Sequence, residues 1–172
     1  MKLPIRVLLT AAIASATLVA CAGKTKPTPA SGGDGGGGGD RTTVTDTHGY
    51  KPEDLDTDSC LRQRVVYFDF DQSTIRPEFQ AAVACHAKYL AQFRGARVTL
   101  EGNADERGTR EYNLGLGERR GNAVSSALGA AGGSSSQLNV VSYGEERPVC
   151  KEHGEGCWQK NRRVEIVYTS KQ

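Results

Sequence analysis

The chain has 172 residues, a formal net charge of +2 and 37% hydrophobic residues. That length supports one ordinary folded domain plus a tail, not two large domains. The near balance of charge argues against a dedicated nucleic-acid binder, which carries a basic excess. From the N-terminus, Lys2 and Arg6 precede an apolar run from Val7 to Ala20. It is too short to span a bilayer comfortably, and residues 1–20 read as a secretory signal. Residues 21–59 contain Pro27, Pro29, five glycines from Gly35 to Gly39 and few large apolar side chains. Such a segment cannot offset its chain entropy by burial, so it reads as a flexible tether. Its root-mean-square span is roughly 35 Å, and its stretched reach is on the order of 120 Å.

The folded domain is expected over 60–172. Val65-Val66-Tyr67-Phe68 is a compact strand, and Pro77 suits the first turn of a helix running to about residue 92. Phe79, Ala82, Val83, His86 and Leu90 form the apolar stripe of that helix; a lone histidine there reads as a satisfied core residue. Residues 97–101 alternate as a second strand, and a long helix follows over roughly 110–131, stopped by Gly132-Gly133. Leu138 to Ser142 reads as a third strand, residues 144–160 as a loop rich in Gly, Pro and Cys, and Val164, Ile166 and Tyr168 alternate in a last strand. The order β-α-β-α-β-β predicts an α+β domain with two helices packed on a mixed four-stranded sheet. Strand order does not follow from these patterns.

Residues 101–120 carry the chemistry. Gly102 and Gly108 bracket a loop holding Asn103, Asp105, Glu106 and Arg107. Arg120 falls on the apolar stripe of the following helix, four residues after Leu116 and three before Ala123. A charge facing a core is costly unless it is paired. Asp105 is the partner suggested by sequence, either in an internal salt bridge or on opposite sides of a ligand bearing an ammonium and a carboxylate.

Two resemblances rest on these residues. Leu18-Val19-Ala20-Cys21 resembles the lipobox of bacterial lipoproteins. That implies cleavage before Cys21, lipidation of Cys21 and, with Ala22 rather than aspartate next, anchoring in the outer membrane. Tyr67-Phe68-Asp69-Phe70-Asp71, Glu101 to Thr109, Glu111-Tyr112-Asn113, Leu116 to Arg120, Val141-Ser142-Tyr143-Gly144 and Lys160-Asn161-Arg162-Arg163 together resemble the OmpA-like family of peptidoglycan-associated outer-membrane anchors. The resemblance covers residues 60–169. It implies a periplasm-facing, non-enzymatic domain without a cofactor that binds peptidoglycan through meso-diaminopimelate in the stem peptide. It also implies contacts with TolB and TolA in the Tol-Pal system, and a part in envelope integrity and cell division. Carried onto this sequence, the ligand contacts are Asp105 for the ammonium, Arg120 for the carboxylate, Leu116 for the aliphatic part, and backbone around Phe70 and Asp71. The N–H groups leading into the 77–92 helix are expected to receive a second carboxylate. On this reading Asp105→Asn and Arg120→Lys weaken wall binding and leave stability nearly unchanged. The chain departs from the family pattern at Asn103, where histidine is common, at Arg110, where proline is common, and in the two cysteines of the 150–157 loop.

Other chemistries compete. Asp105 and Glu106 as acid and base, with His86, would suit a hydrolase, but neighbours in a turn point in different directions. Gly115, Gly117 and Gly121 miss the dinucleotide spacing by one residue and lie inside a helix. Cys150, His153 and Cys157 have spacing compatible with zinc, although paired cysteines in an exported protein more often form disulfides. Four cysteines besides Cys21 allow three pairings. The expected one is Cys60–Cys85, joining the start of the domain to the first helix, with Cys150–Cys157 inside one loop.

Overall fold

The computed structural model describes residues 49–172. The signal segment, Cys21 and the glycine-rich part of the tether lie outside the described residues. Alternation along the strands generates the sheet. β1 (Val65–Tyr67) pairs antiparallel with β4 (Arg163–Ser170), β4 pairs antiparallel with β2 (Arg97–Asn103), and β2 pairs parallel with β3 (Leu138–Gly144). The order is β1-β4-β2-β3, a mixed four-stranded sheet as expected. Leu100 lies opposite Ile166 on one side and Val140 on the other.

Two helices cover the sheet. Pro77–Phe79 forms a 3₁₀ turn leading into α2 (Gln80–Gln92), and α3 (Arg110–Ala130) is the crossover that parallel pairing of β2 and β3 requires. Thr109 caps α3, its hydroxyl accepting from the Tyr112 N–H at 3.2 Å. Val83 and Leu90 of α2 and Val124 and Leu128 of α3 close on Val66, Val98, Leu100, Val164 and Ile166. Each such side chain contributes about 1.5–3 kcal/mol when fully buried. His86 is a core residue: its Nδ1 lies 3.0 Å from the Tyr168 hydroxyl, and its Nε2 lies 3.2 Å from the Gln63 carbonyl oxygen.

Two expectations need correction. The packed domain starts before residue 60, because Leu55 in the short α1 (Asp54–Thr57) is fully buried and Tyr50 packs against the core. Acidic neighbours hide that leucine in the sequence. They face outward, where Asp56 pairs with Arg64 at 2.9 Å and with Lys171 at 2.7 Å. The expected 144–160 loop also contains a helix, α4 (Glu155–Asn161). It begins after Gly154, whose φ of 129° suits glycine, and is too short to show an apolar period. Cys150 is bonded to Cys157 across the start of α4, and Cys60 is bonded to Cys85 on α2.

Candidate functional site

Three segments meet at one end of the sheet. The chain leaving β1 runs through Phe68 to Gln72, the chain leaving β2 forms the 104–109 loop, and the first half of α3 crosses both. A close approach of α3 to β2 makes this possible. A Cβ placed on Gly102 would stand 1.9 Å from the Gly117 carbonyl oxygen, so that crossing needs glycine. It seats Leu116 and Arg120 of α3 against the end of β2.

Between the segments is a cavity of about 190 Å³. All five residues expected from sequence line it: Phe70, Asp71, Asp105, Leu116 and Arg120. Arg107, Tyr112 and Asn113 complete the wall, while the start of the 77–92 helix takes no part in it. Sites enclosing a whole drug-sized ligand run to about 300–1,000 Å³, so this one fits the end of a ligand. Asp71 has φ 57°, a left-handed conformation that Asp tolerates. Its carboxylate accepts from the Tyr112 hydroxyl, fastening the 70–71 turn to α3.

Arg120 is fully buried and bonds to backbone. Its Nε donates to the Gln72 carbonyl at 2.8 Å, Nη1 to the Asn103 carbonyl at 2.9 Å, and Nη2 to the Asp69 carbonyl at 3.1 Å. A guanidinium has five N–H donors, so these three bonds leave two. Burial lowers its pKa to about 10, and the charge of Asp105 supports its ionisation, so it remains a cation at neutral pH.

Asp105 pairs elsewhere. Its Oδ1 accepts from the Arg107 N–H and Nε, each at 3.1 Å. Its Oδ2 accepts from Arg107 Nη2 at 2.6 Å and from Arg162 Nη1 at 3.2 Å. Burial opposes ionisation of Asp105, but the hydrogen bonds from Arg107 and Arg162 outweigh it and hold the carboxyl below its usual range. The internal Asp105–Arg120 salt bridge considered from sequence is therefore not formed. The carbonyls where β1 and β2 leave the sheet take Arg120, and the loop arginines take Asp105.

Arg107 lies between two aromatic rings, its guanidinium carbon 3.9 Å from the centre of Phe70 and 4.3 Å from that of Trp158. Trp158 Nε1 donates to Glu106 at 2.7 Å, and His153 Nδ1 lies 2.6 Å from the same carboxylate oxygen. Glu155 accepts from Arg162 at 2.5 Å and stands 3.5 Å from Arg107. Among the described residues, the groups that the competing chemistries would use are engaged elsewhere. Asp105 and Glu106 face different partners, His86 is in the core, and His153 turns to Glu106 while Cys150 and Cys157 bond to each other.

A family model described as the OmpA family matches residues 67–162, a span containing the whole cleft. The chain belongs to the OmpA family. It is 51% identical over 113 residues to the peptidoglycan-associated lipoprotein of Pseudomonas putida, covering 65% of this chain and 68% of that one. It is 42% identical over 161 residues to the peptidoglycan-associated lipoprotein of Legionella pneumophila, covering 91% of each chain. Among solved structures, the peptidoglycan-associated lipoprotein from Burkholderia pseudomallei superposes with a TM-score of 0.67 at 43% identity, covering 69% of this chain and 100% of that one. The C-terminal domain of Helicobacter pylori MotB shares the fold, with a TM-score of 0.56 at 21% identity over 61% of this chain and 82% of that one.

In this OmpA-family cleft, sequence reasoning missed Arg107, Tyr112, Asn113, Arg162 and Trp158. One signal was available for Arg107: a lone cation two residues after a buried carboxylate can fold back onto it in a turn. Trp158 reaches the site from α4, which has no periodic signature, and Arg162 from the C-cap position that ends it, and nothing in their own spacing marks them.

Proposed function

We propose that this OmpA-family domain binds peptidoglycan non-covalently by taking the free end of meso-diaminopimelate in the stem peptide. A lipid on Cys21 then ties the domain, facing the periplasm, to the outer membrane. The observation that carries the reading is a cleft the size of one ligand end, lined by both the ionised carboxylate of Asp105 and the buried guanidinium of Arg120. The free end of diaminopimelate is an ammonium beside a carboxylate. Asp105 accepts from the ammonium, Arg120 offers its remaining N–H groups to the carboxylate, and Leu116 packs on the aliphatic stem. The turn at Phe70 and Asp71, held by Tyr112, closes the cleft.

The names of the relatives from Pseudomonas putida and Legionella pneumophila support the wall as ligand. Contacts with TolB and TolA belong to the same reading, in which the protein links outer membrane to wall and follows envelope constriction at division. Asp105 is held ionised by the arginines around it, which suits holding a cation better than shuttling a proton. The test is sedimentation with purified diaminopimelate-type wall, with and without free meso-diaminopimelate, below the melting temperature of each variant. Free diaminopimelate competes, and Asp105→Asn lowers affinity by about ten- to hundredfold, the worth of a charged hydrogen bond. Equal wall binding by parent and Asp105→Asn refutes the assignment.

A further inference from the structure

Asp105 poses a difficulty for any incoming cation. A carboxylate offers about four acceptor positions. Three are filled by Arg107, through its backbone N–H, Nε and Nη2, and the fourth by Arg162. A ligand ammonium therefore has to displace a guanidinium. Arg162 is the poorer candidate to leave. Its side chain is 6% exposed and is also held by the Phe68 carbonyl at 3.0 Å and by Glu155 at 2.5 Å. Arg107 is 29% exposed at the cleft wall, and its other acid, Glu155, stands off at 3.5 Å.

We propose that Arg107 is the specificity-determining residue of the cleft. In the empty site it stands in for the ligand's ammonium. On binding it yields Asp105 and moves onto the ligand's carboxylate. The inference rests on the diaminopimelate reading given above. The exchange conserves charge pairing only for a zwitterion. A diaminopimelate end supplies an ammonium to Asp105 and a carboxylate to the freed guanidinium, with Arg120 sharing that carboxylate. A lysine end supplies the ammonium alone and leaves Arg107 with an exposed acid already engaged by Arg162. Arg107 needs no long excursion. It lies in an aromatic slot between Phe70 and Trp158, and turning within that slot re-aims its N–H edge while both rings stay in contact. A planar fork suits this exchange, whereas an ammonium does not reproduce it.

Trp158 is the chain's single tryptophan, so its fluorescence reports on Arg107 directly. Parent, Arg107→Met and Arg107→Lys are compared for binding to diaminopimelate-type and lysine-type walls. The parent is also titrated with free meso-diaminopimelate and with free lysine while Trp158 emission is followed. The parent prefers diaminopimelate-type wall, and that preference narrows by about tenfold in Arg107→Met, with lysine-type wall bound more tightly than by the parent. Arg107→Lys narrows it as well. Saturating meso-diaminopimelate shifts Trp158 emission in the parent, and the shift is missing in Arg107→Met although binding persists. Unchanged preference in both variants overturns the proposal, as does a parent whose Trp158 emission stays constant while it binds diaminopimelate. The parent titration decides alone if Arg107→Met does not fold. Wall binding abolished by Asp105→Asn but with preference untouched in Arg107→Met removes this inference and leaves the diaminopimelate reading standing. Wall binding unaffected by Asp105→Asn removes the reading beneath it.

Discussion

Replacing Arg120 with lysine is a substitution whose consequence the structure changes. Read as a ligand contact alone, Arg120→Lys weakens binding and spares the fold. The geometry requires otherwise. Arg120 is fully buried and satisfies the carbonyls of Asp69, Gln72 and Asn103, at 3.1, 2.8 and 2.9 Å. These lie on the two chain segments that leave β1 and β2. A lysine ammonium is a point donor on a single stem and cannot span three acceptors arranged around a planar fork. Two carbonyls lose their donor; an unpaired buried one, as at Asn103, costs about 1–3 kcal/mol and the part-buried ones at Asp69 and Gln72 cost less, for a total of about 2 kcal/mol. For a domain of this size that lowers the melting temperature by roughly 6–8 °C. Urea unfolding and thermal melts of the purified domain measure it, with binding assayed separately at low temperature. An Arg120→Lys protein that melts within about 2 °C of the parent refutes the bonding scheme, because no part of this cost then exists.

Two further outcomes follow from the core and the crossing. Burial lowers the pKa of His86 from 6.5 to about 4, against the opposing hydrogen bond to Gln63. The unfolded chain therefore binds the extra proton between these values. Stability is full above about pH 6.5 and declines as pH falls to about 4, by about 3 kcal/mol in total at about 1.4 kcal/mol per pH unit. Urea titrations at pH 7 and 4.5 should show this slope in the parent and lose it in His86→Gln; a slope that persists in the variant places the titration elsewhere. Gly102→Ala puts a methyl 1.9 Å from the Gly117 carbonyl oxygen, and α3 has to move. Overpacking against backbone costs about 3 kcal/mol or more, so the variant should lose both stability and wall affinity, and normal binding with a normal melt would contradict the crossing described here.

Much of the fold was legible because the physics that builds it is periodic. Val98 and Leu100 alternate, Leu116, Val124 and Leu128 recur at helical spacing, and Gly132-Gly133 ends that helix, so the elements fell close to their places. The cleft was partly legible for a different reason. Arg120 on an apolar stripe is a conflict that only a partner resolves, and the conflict is visible without coordinates. The partners were not visible, because backbone carbonyls have no letter of their own. Only the alternative of an internal Asp105–Arg120 bridge fails: Arg107 folds back onto Asp105 within residues 105–107, and Arg162 reaches it from the residue that ends α4. Leu55 was lost among acids that face solvent, and α4 is too short to display a period.

The Cys60–Cys85 bond acquires a meaning once the domain is regarded as a mechanical tie. Tension arriving from the N-terminal side meets Cys60 before it meets β1. β1 is only three residues long, Val65–Tyr67, and is zipped to a single neighbour, β4, so pulled directly it is the strand most easily peeled from the sheet. The covalent link diverts that load onto α2, whose Val83, Ala87 and Leu90 are embedded in the core. Resistance to pulling is set by the rate of opening rather than by equilibrium stability. Reduction of this one bond therefore shortens the lifetime of the loaded domain, in addition to removing the roughly 2–4 kcal/mol of equilibrium stability that a disulfide contributes.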